Sequence, residues 1–252
     1  MPIYDKFAQL YTLGPYTRYS QRMAELLPAV LRALGIEPRK ILDLACGEGT
    51  FVVAAAKQGW DVTGLDASGE MLQAARRRLA AEGLDARLLQ GDMRELAFTD
   101  EFDLVTCWYD SLNYLVEQAD LEAAFRGVAA ALRRGGRFIF DMNTIFGLAA
   151  LWASDPCQVM QDTPGLFDVH INSYDYEANL ATKRIAGFVS QGGSWVRIDE
   201  EHRERGYRLE EIAASLKASG LEEIARWGRL EDMSPPDRRT GRVWFAAKKA
   251  AA

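Results

Sequence analysis

Ile41-Leu42-Asp43-Leu44-Ala45-Cys46-Gly47-Glu48-Gly49-Thr50 decides the fold. A short apolar run, Lys40–Leu44, passes directly into a turn of small residues, and a helical stretch opens near Thr50–Gln58. Small residues let backbone approach a ligand closely, and a helix N-terminus offers N–H groups without intrahelical partners. In an open α/β sheet such a loop lies at the carboxyl edge of the first strand, where ligands bind.

Working outward, strands and helices alternate. Asp61–Asp66 reads as a second strand, Ser68–Glu82 as a helix capped by Ser68, and Ala86–Gln90 as a third strand. Phe102–Trp108 is the fourth, Leu121–Arg133 a helix, and Arg137–Met142 the fifth strand after Gly135-Gly136. This order predicts an α/β fold, a doubly wound and mostly parallel seven-stranded sheet with helices on both faces. Val169–Glu177, Ala181–Ser190 and Ser194–Glu201 then follow without helices between them, an antiparallel insertion turning at Asn179 and Gly192-Gly193. Helix Leu209–Ser219 and the strands Glu222–Arg229 and Arg242–Ala247 close the sheet. The expected division is an N-terminal helical lid (1–38), a cofactor-binding core (39–150), an acceptor cap (151–205) and a closing helix and hairpin (206–252).

A dinucleotide loop is the rival reading of the Gly-x-Gly turn. Its fingerprint needs a small third residue for helix packing, and Val52 stands there. Asp43, at the strand end, suits a ligand carrying a positive amino group and is a poor neighbour for pyrophosphate.

Five ordered elements resemble the class I S-adenosylmethionine-dependent methyltransferases, in the branch that modifies small molecules. Asp43–Thr50 resembles the first motif, and Val62-Thr63-Gly64-Leu65-Asp66-Ala67-Ser68 with Met71 the second. Gly91-Asp92-Met93 resembles the acidic motif after the third strand. Phe102–Val105 with Cys107-Trp108 is similar to the fourth strand, and Leu132–Phe138 to the approach to the fifth. The resemblance implies S-adenosyl-L-methionine as cofactor and methyl transfer as activity. Asp66, 17 residues beyond Gly49, would accept bonds from ribose hydroxyls, and Asp92 and the Met93 backbone would read the adenine edge. Met71 and Met93 would pack on the ring, and Gly47 and Gly49 would admit the amino-acid part. Ala45, Cys46, Ala67, Gly91, Cys107 and Trp108 complete the expected cofactor wall. Tyr11 and Tyr19 resemble lid tyrosines of small-molecule N-methyltransferases.

The acceptor side is less determined. Trp108-Tyr109-Asp110-Ser111-Leu112-Asn113-Tyr114-Leu115 follows the fourth strand and lacks the Asn-Pro-Pro-Tyr signature of amino-group methylation in nucleic acids and proteins. Tyr109 and His202 are the candidates for acid–base work, His202 by its ordinary pKa, although a solvated strand end also explains the charged run Asp199–Arg205. A nitrogen or oxygen nucleophile on a small molecule is expected. A non-catalytic cofactor-binding protein and a tRNA or protein methyltransferase are the alternatives.

With 252 residues and a net charge of −6, the chain has no general attraction for phosphate backbones, so nucleic acid is not the expected partner. Cys46, Cys107 and Cys157 are far apart and lack metal-ligand spacing, so no metal is expected, and free thiols fit a cytoplasmic protein. No apolar run approaches a membrane span. Monomer and homodimer both stay open.

Overall fold

The computed structural model describes residues 4–152 and 154–250. The N-terminal segment forms α1 (Ala8–Leu13) and α2 (Thr17–Leu34). Pro28 lies inside α2, where its ring removes a donor from the Ala24 carbonyl. Gln58 Nε2 donates to that carbonyl at 3.2 Å, so the break is satisfied from outside. Gly35, at φ +65°, ends the helix in the left-handed conformation.

The core then alternates as β1 (Lys40–Leu44), α3 (Thr50–Lys57), β2 (Asp61–Asp66), α4 (Gly69–Ala81), β3 (Arg87–Gln90), β4 (Phe102–Cys107), α5 (Gln118–Ala131) and β5 (Leu132–Asn143). Both flanking strands of β1, β2 and β4, run parallel to it, and β5 continues parallel beyond β4. Four strands follow: β6 (Cys157–Thr163), β7 (Leu166–Asp175), β8 (Leu180–Gln191) and β9 (Ser194–Arg205). They pair antiparallel in sequence order as a separate sheet. Then α6 (Leu209–Ala218), β10 (Leu221–Trp227) and β11 (Arg242–Lys249) return to the core. The seven-stranded sheet has the order β10-β11-β5-β4-β1-β2-β3, with β11 antiparallel to both neighbours. Among the described residues, no helix is long and apolar enough to cross a membrane.

The chain reverses its winding between β1 and β4, which opens a crevice at the carboxyl ends of these strands. Two differences from the sequence expectation have plain causes. β5 begins at Leu132 rather than Arg137, because the Gly135-Gly136 turn is bridged into one irregular strand along β4. β6 was not expected. Its side chains alternate weakly, and among the described residues it pairs with β7 alone.

The N-terminal segment fills the space between α4 and the small sheet. Phe7, Leu10, Tyr11 and Tyr16 are buried with Met71 on one side and with Leu166, Ile185, Val189 and Ile198 on the other. Tyr16 Oη donates to the buried carboxylate of Asp168 on β7. Leu10 lies directly on Gly187 of β8, where a Cβ would come within 2.2 Å of Leu10 Cδ1. Gly187→Val should therefore lift α1 from the sheet. The expected cost is about 1–3 kcal/mol of stability by overpacking, with faster hydrogen exchange confined to residues 4–16. Unchanged exchange in that segment would contradict this packing.

Candidate functional site

The turn after β1 places Ala45 (φ +53°), Gly47 (φ +54°) and Gly49 (φ +81°) in the left-handed region. This bend is held by Asp66 at the tip of β2. Its Oδ2 accepts the Gly47 N–H and its Oδ1 the Ser68 N–H, each at 2.8 Å. Burial raises the Asp66 pKa, and these bonds, with one from Ala67, oppose the rise. Asp43 ends β1 with 2% exposure. Burial pushes its pKa to about 8; the Thr106 hydroxyl, donating at 2.7 Å, pulls it down, and Asp66 pushes it up. Asp92 follows β3 and is clasped by Arg94, whose hydrogen bonds hold its carboxyl below the usual range against partial burial. Arg94 also reaches Asp120 at 2.9 Å.

These groups surround one cleft of about 530 Å³. From the β1 turn come Asp43, Ala45, Cys46 and Gly47; from the β2 end and α4 come Asp66, Ala67 and Met71. Gly91, Asp92 and Met93 line the far end, Trp108 and Tyr109 the near end, and Tyr11 the lid. Three expected wall residues lie elsewhere. Gly49 starts α3, and a Cβ there would sit 2.8 Å from that of Ala75, so this glycine lets α3 and α4 approach. Cys107 is fully buried in the main core. Tyr19 stacks on Tyr109 with ring centroids 4.6 Å apart. Tyr4 lines the cleft beside Tyr11, and Glu48, Arg94 and Val116 line it without having been expected there. Glu48 is readable only after folding, since its partner Arg78 stands 30 residues away and meets it at 2.6 Å.

A second cavity of about 220 Å³ adjoins the cleft and shares Tyr4, Tyr11, Tyr109 and Tyr114 with it. Its remaining walls include Asp110, Arg242, His202, Glu204, Lys183 and His170. Tyr109 (φ +59°) and Asp110 (φ +55°) are consecutive left-handed residues without being glycine. Such backbone costs on the order of 1–3 kcal/mol per residue and persists only where neighbours enforce it. Asp141 on β5 enforces it, accepting the Tyr109 N–H at 2.8 Å and the Asp110 N–H at 2.9 Å. Arg242 on β11 then pairs with Asp141 and with Asp110, the latter at 2.6 Å, and lies 4.8 Å over the Tyr19 ring. Sequence reading missed this triad because its members come from three separate strands and loops. Burial, with Asp110 alongside, pushes the Tyr109 pKa to about 12. Tyr109 thus presents a protonated hydroxyl at neutral pH, not a phenolate base.

His202 is buried on β9 and stands at the centre of a hydrogen-bonded chain. Its Nε2 meets Glu200 Oε1 at 2.8 Å, its Nδ1 meets Tyr114 Oη at 2.8 Å, and Tyr114 Oη meets Tyr4 Oη at 2.8 Å. Glu200 also accepts the backbone N–H groups of Tyr4, Lys6 and Phe7. Burial pushes the Glu200 pKa upward, but His202 and these donors outweigh it and leave the group below the usual range. An ionised Glu200 fixes the proton on Nε2, so Nδ1 accepts from Tyr114 and Tyr114 accepts from Tyr4. Lone pairs of the Tyr4 oxygen are left at the junction of the two cavities.

A family model described as a methyltransferase domain matches residues 41–136. The chain is 30% identical over 254 residues to a Bacillus subtilis (strain 168) protein named "Putative methyltransferase YqeM", spanning 98% of each. It is 35% identical over 148 residues to a dTDP-3-amino-3,6-dideoxy-alpha-D-glucopyranose N,N-dimethyltransferase of Streptomyces fradiae, over 52% of this chain and 56% of that one. Among solved structures it is similar to an S-adenosylmethionine-dependent methyltransferase from Clostridium acetobutylicum ATCC 824. That pair has a TM-score of 0.84 and 28% identity, over 99% of this chain and 100% of the other.

The triad carries a stability prediction. Arg242→Met keeps an unbranched apolar stem but strands two buried carboxylates. It should cost about 3–5 kcal/mol in thermal or denaturant unfolding at neutral pH. The Asp110→Asn/Asp141→Asn/Arg242→Met triple variant should recover much of that loss. A single-variant cost under about 1 kcal/mol would show that the triad does not hold the Tyr109 loop.

Proposed function

The chain belongs to the class I S-adenosylmethionine-dependent methyltransferases, and from that premise we propose that it methylates the nitrogen of a small polar amine. The cleft fits the cofactor on its own chemistry. Asp43 offers a buried carboxylate for an amino group, Asp66 and Asp92 offer acceptors for hydroxyl and amino hydrogens, and Met71 and Met93 offer apolar contact for a ring. Trp108 adds an indole N–H that has no partner among the described residues. The volume, about 530 Å³, lies in the range of roughly 300–1,000 Å³ usual for small-molecule sites. When bound, the cofactor supplies a sulfonium methyl group, which passes to an acceptor lone pair while the C–S electron pair stays on sulfur.

The acceptor reading rests on the adjoining cavity and the Tyr4–Tyr114–His202–Glu200 chain that reaches it. At about 220 Å³ the cavity holds a small molecule, or the reacting end of a larger one. Its shared tyrosines close the reacting region against water and orient the acceptor. A proton leaving the acceptor can be taken at the Tyr4 oxygen while the chain relays one to His202 Nδ1, forming an imidazolium paired with Glu200. That suits an ammonium, which releases its proton far more readily than a hydroxyl does. The relative from Streptomyces fradiae, named for methylation of an amino sugar, supports the same class.

Methyl-labelled cofactor and a panel of primary amines, from alkylamines to 3-amino-3-deoxyglucose, each beside its alcohol counterpart, test this directly. Label should enter amines and not the alcohols; transfer to alcohols alone would refute it. Asp66→Ala removes an anchor of the β1 turn together with a cofactor acceptor. By calorimetry it should weaken S-adenosylmethionine binding at least about tenfold, the loss of one hydrogen bond to a charged group. His202→Phe should leave that affinity intact and lower kcat about 100-fold.

A further inference from the structure

We infer that Glu204 receives the amino group of the acceptor and takes its proton, an assignment that rests on the amine reading above. Glu204 lies on β9 with 1% exposure and lines the acceptor cavity. One oxygen is used: Oε2 accepts from Asn143 Nδ2 at 2.9 Å. No N–H or hydroxyl donor among the described residues reaches Oε1, and the carboxyl of Asp110 stands within hydrogen-bonding reach of Glu204. A buried carboxyl oxygen left open in this way is costly unless something else satisfies it.

The surrounding charges say what would. Three carboxyl groups, Asp110, Asp141 and Glu204, gather behind this cavity. Arg242 ties its guanidinium to Asp110 and Asp141 and to neither oxygen of Glu204. Lys183, on the neighbouring strand β8, has its ammonium 3.7 Å over the Trp152 ring and makes no ion pair with Glu204 among the described residues. The cluster is therefore short of one bonded cation, and the unfilled place opens into the acceptor cavity. A primary ammonium has the charge and the donors to fill it.

The chemistry balances. The ammonium R–NH3+ passes one proton to the Glu204 carboxylate, giving R–NH2 and a neutral carboxylic acid. The freed nitrogen lone pair forms the new N–C bond, and R–NH2–CH3+ then gives one proton to the Tyr4–Tyr114–His202 chain and leaves as R–NH–CH3. The acid then returns its proton to solvent. Burial, then the neighbouring Asp110, raises the Glu204 pKa well above the usual carboxylate range, against Lys183 and the Asn143 bond, so the neutral amine–acid pair is favoured over the ion pair. His202 and its chain then serve the second proton of the reacting nitrogen.

Glu204→Gln tests the assignment, since an amide keeps the shape and the bond to Asn143. Groups facing position 204 that also titrate or carry charge are Asp110 after β4, Lys183 on β8, Arg242 on β11, His170 and His202, and the hydroxyls of Tyr4, Tyr109 and Tyr114. All are common to both proteins, so the difference between them isolates Glu204. A carboxyl whose pKa is raised on folding destabilises the ligand-free protein above its unfolded value, and not below it. The ligand-free variant should thus melt about 2–4 °C higher at pH 7.5, and the gain should vanish by about pH 4. For any amine of the panel, kcat/KM should fall at least about 100-fold with S-adenosylmethionine affinity unchanged. A lower or equal melting temperature at pH 7.5 overturns the assignment, because it marks Glu204 as structural. If both proteins methylate amines equally well, the assignment falls alone; if the wild type methylates none, it falls with the reading beneath it.

Discussion

Side-chain carboxylates that accept two or three main-chain N–H groups each hold three of the segments around the two cavities. Asp66 takes those of Gly47 and Ser68, Asp141 those of Tyr109 and Asp110, and Glu200 those of Tyr4, Lys6 and Phe7. Parallel strands end in loops whose N–H groups have no ladder partner, and buried donors must find acceptors. A carboxylate meets two of them at once and keeps lone pairs for a third partner. The same interaction therefore both shapes the turns and leaves charged acceptors pointing into the clefts.

This economy gathers negative charge at one edge of the sheet. Asp43, Asp110, Asp141 and Glu204 are nearly out of solvent and Asp66 is half-buried, and burial is the first cause of the raised pKa of Asp43, Asp66, Asp141 and Glu204. Only Asp110 and Asp141 share a strong internal cation, Arg242. A fold dominated by stability would have replaced such groups with apolar ones at little cost. Their persistence next to two cavities fits a protein that meets cationic ligands, which is the expected company of a sulfonium cofactor and an amine acceptor.

The N-terminal segment is bound into this arrangement twice over. Apolar side chains wedge it between α4 and the small sheet, while Glu200 and Asp168 clasp it by hydrogen bonds. Tyr4 and Tyr11 consequently stand where the larger cleft and the smaller cavity meet. The N-terminal segment, the small sheet and the core thus form one wall, although they lie far apart along the chain.

Periodicity and turn chemistry alone located most of the strands: Lys40–Leu44 and Asp61–Asp66 are found at the expected bounds, and Ser68 caps α4 as its residue type requires. Local signals of this kind need no partner to be read. The ordered acidic strand ends also drew Asp43, Asp66 and Asp92 toward one cleft, because parallel crossovers deliver successive strand tips to the same edge. Gly49 shows the limit. Its residue type announced a special backbone, and only the packing of Ala75 revealed that the space serves a helix contact. Tyr19 and Cys107 were likewise drawn toward the cofactor wall by position along the chain, and packing turned both away from it. Arg242, Asp141 and Glu204 carry no local signature at all. Each is an ordinary charged residue on a strand until three distant segments fold together, bury them and remove the water that would otherwise have made their charges unimportant.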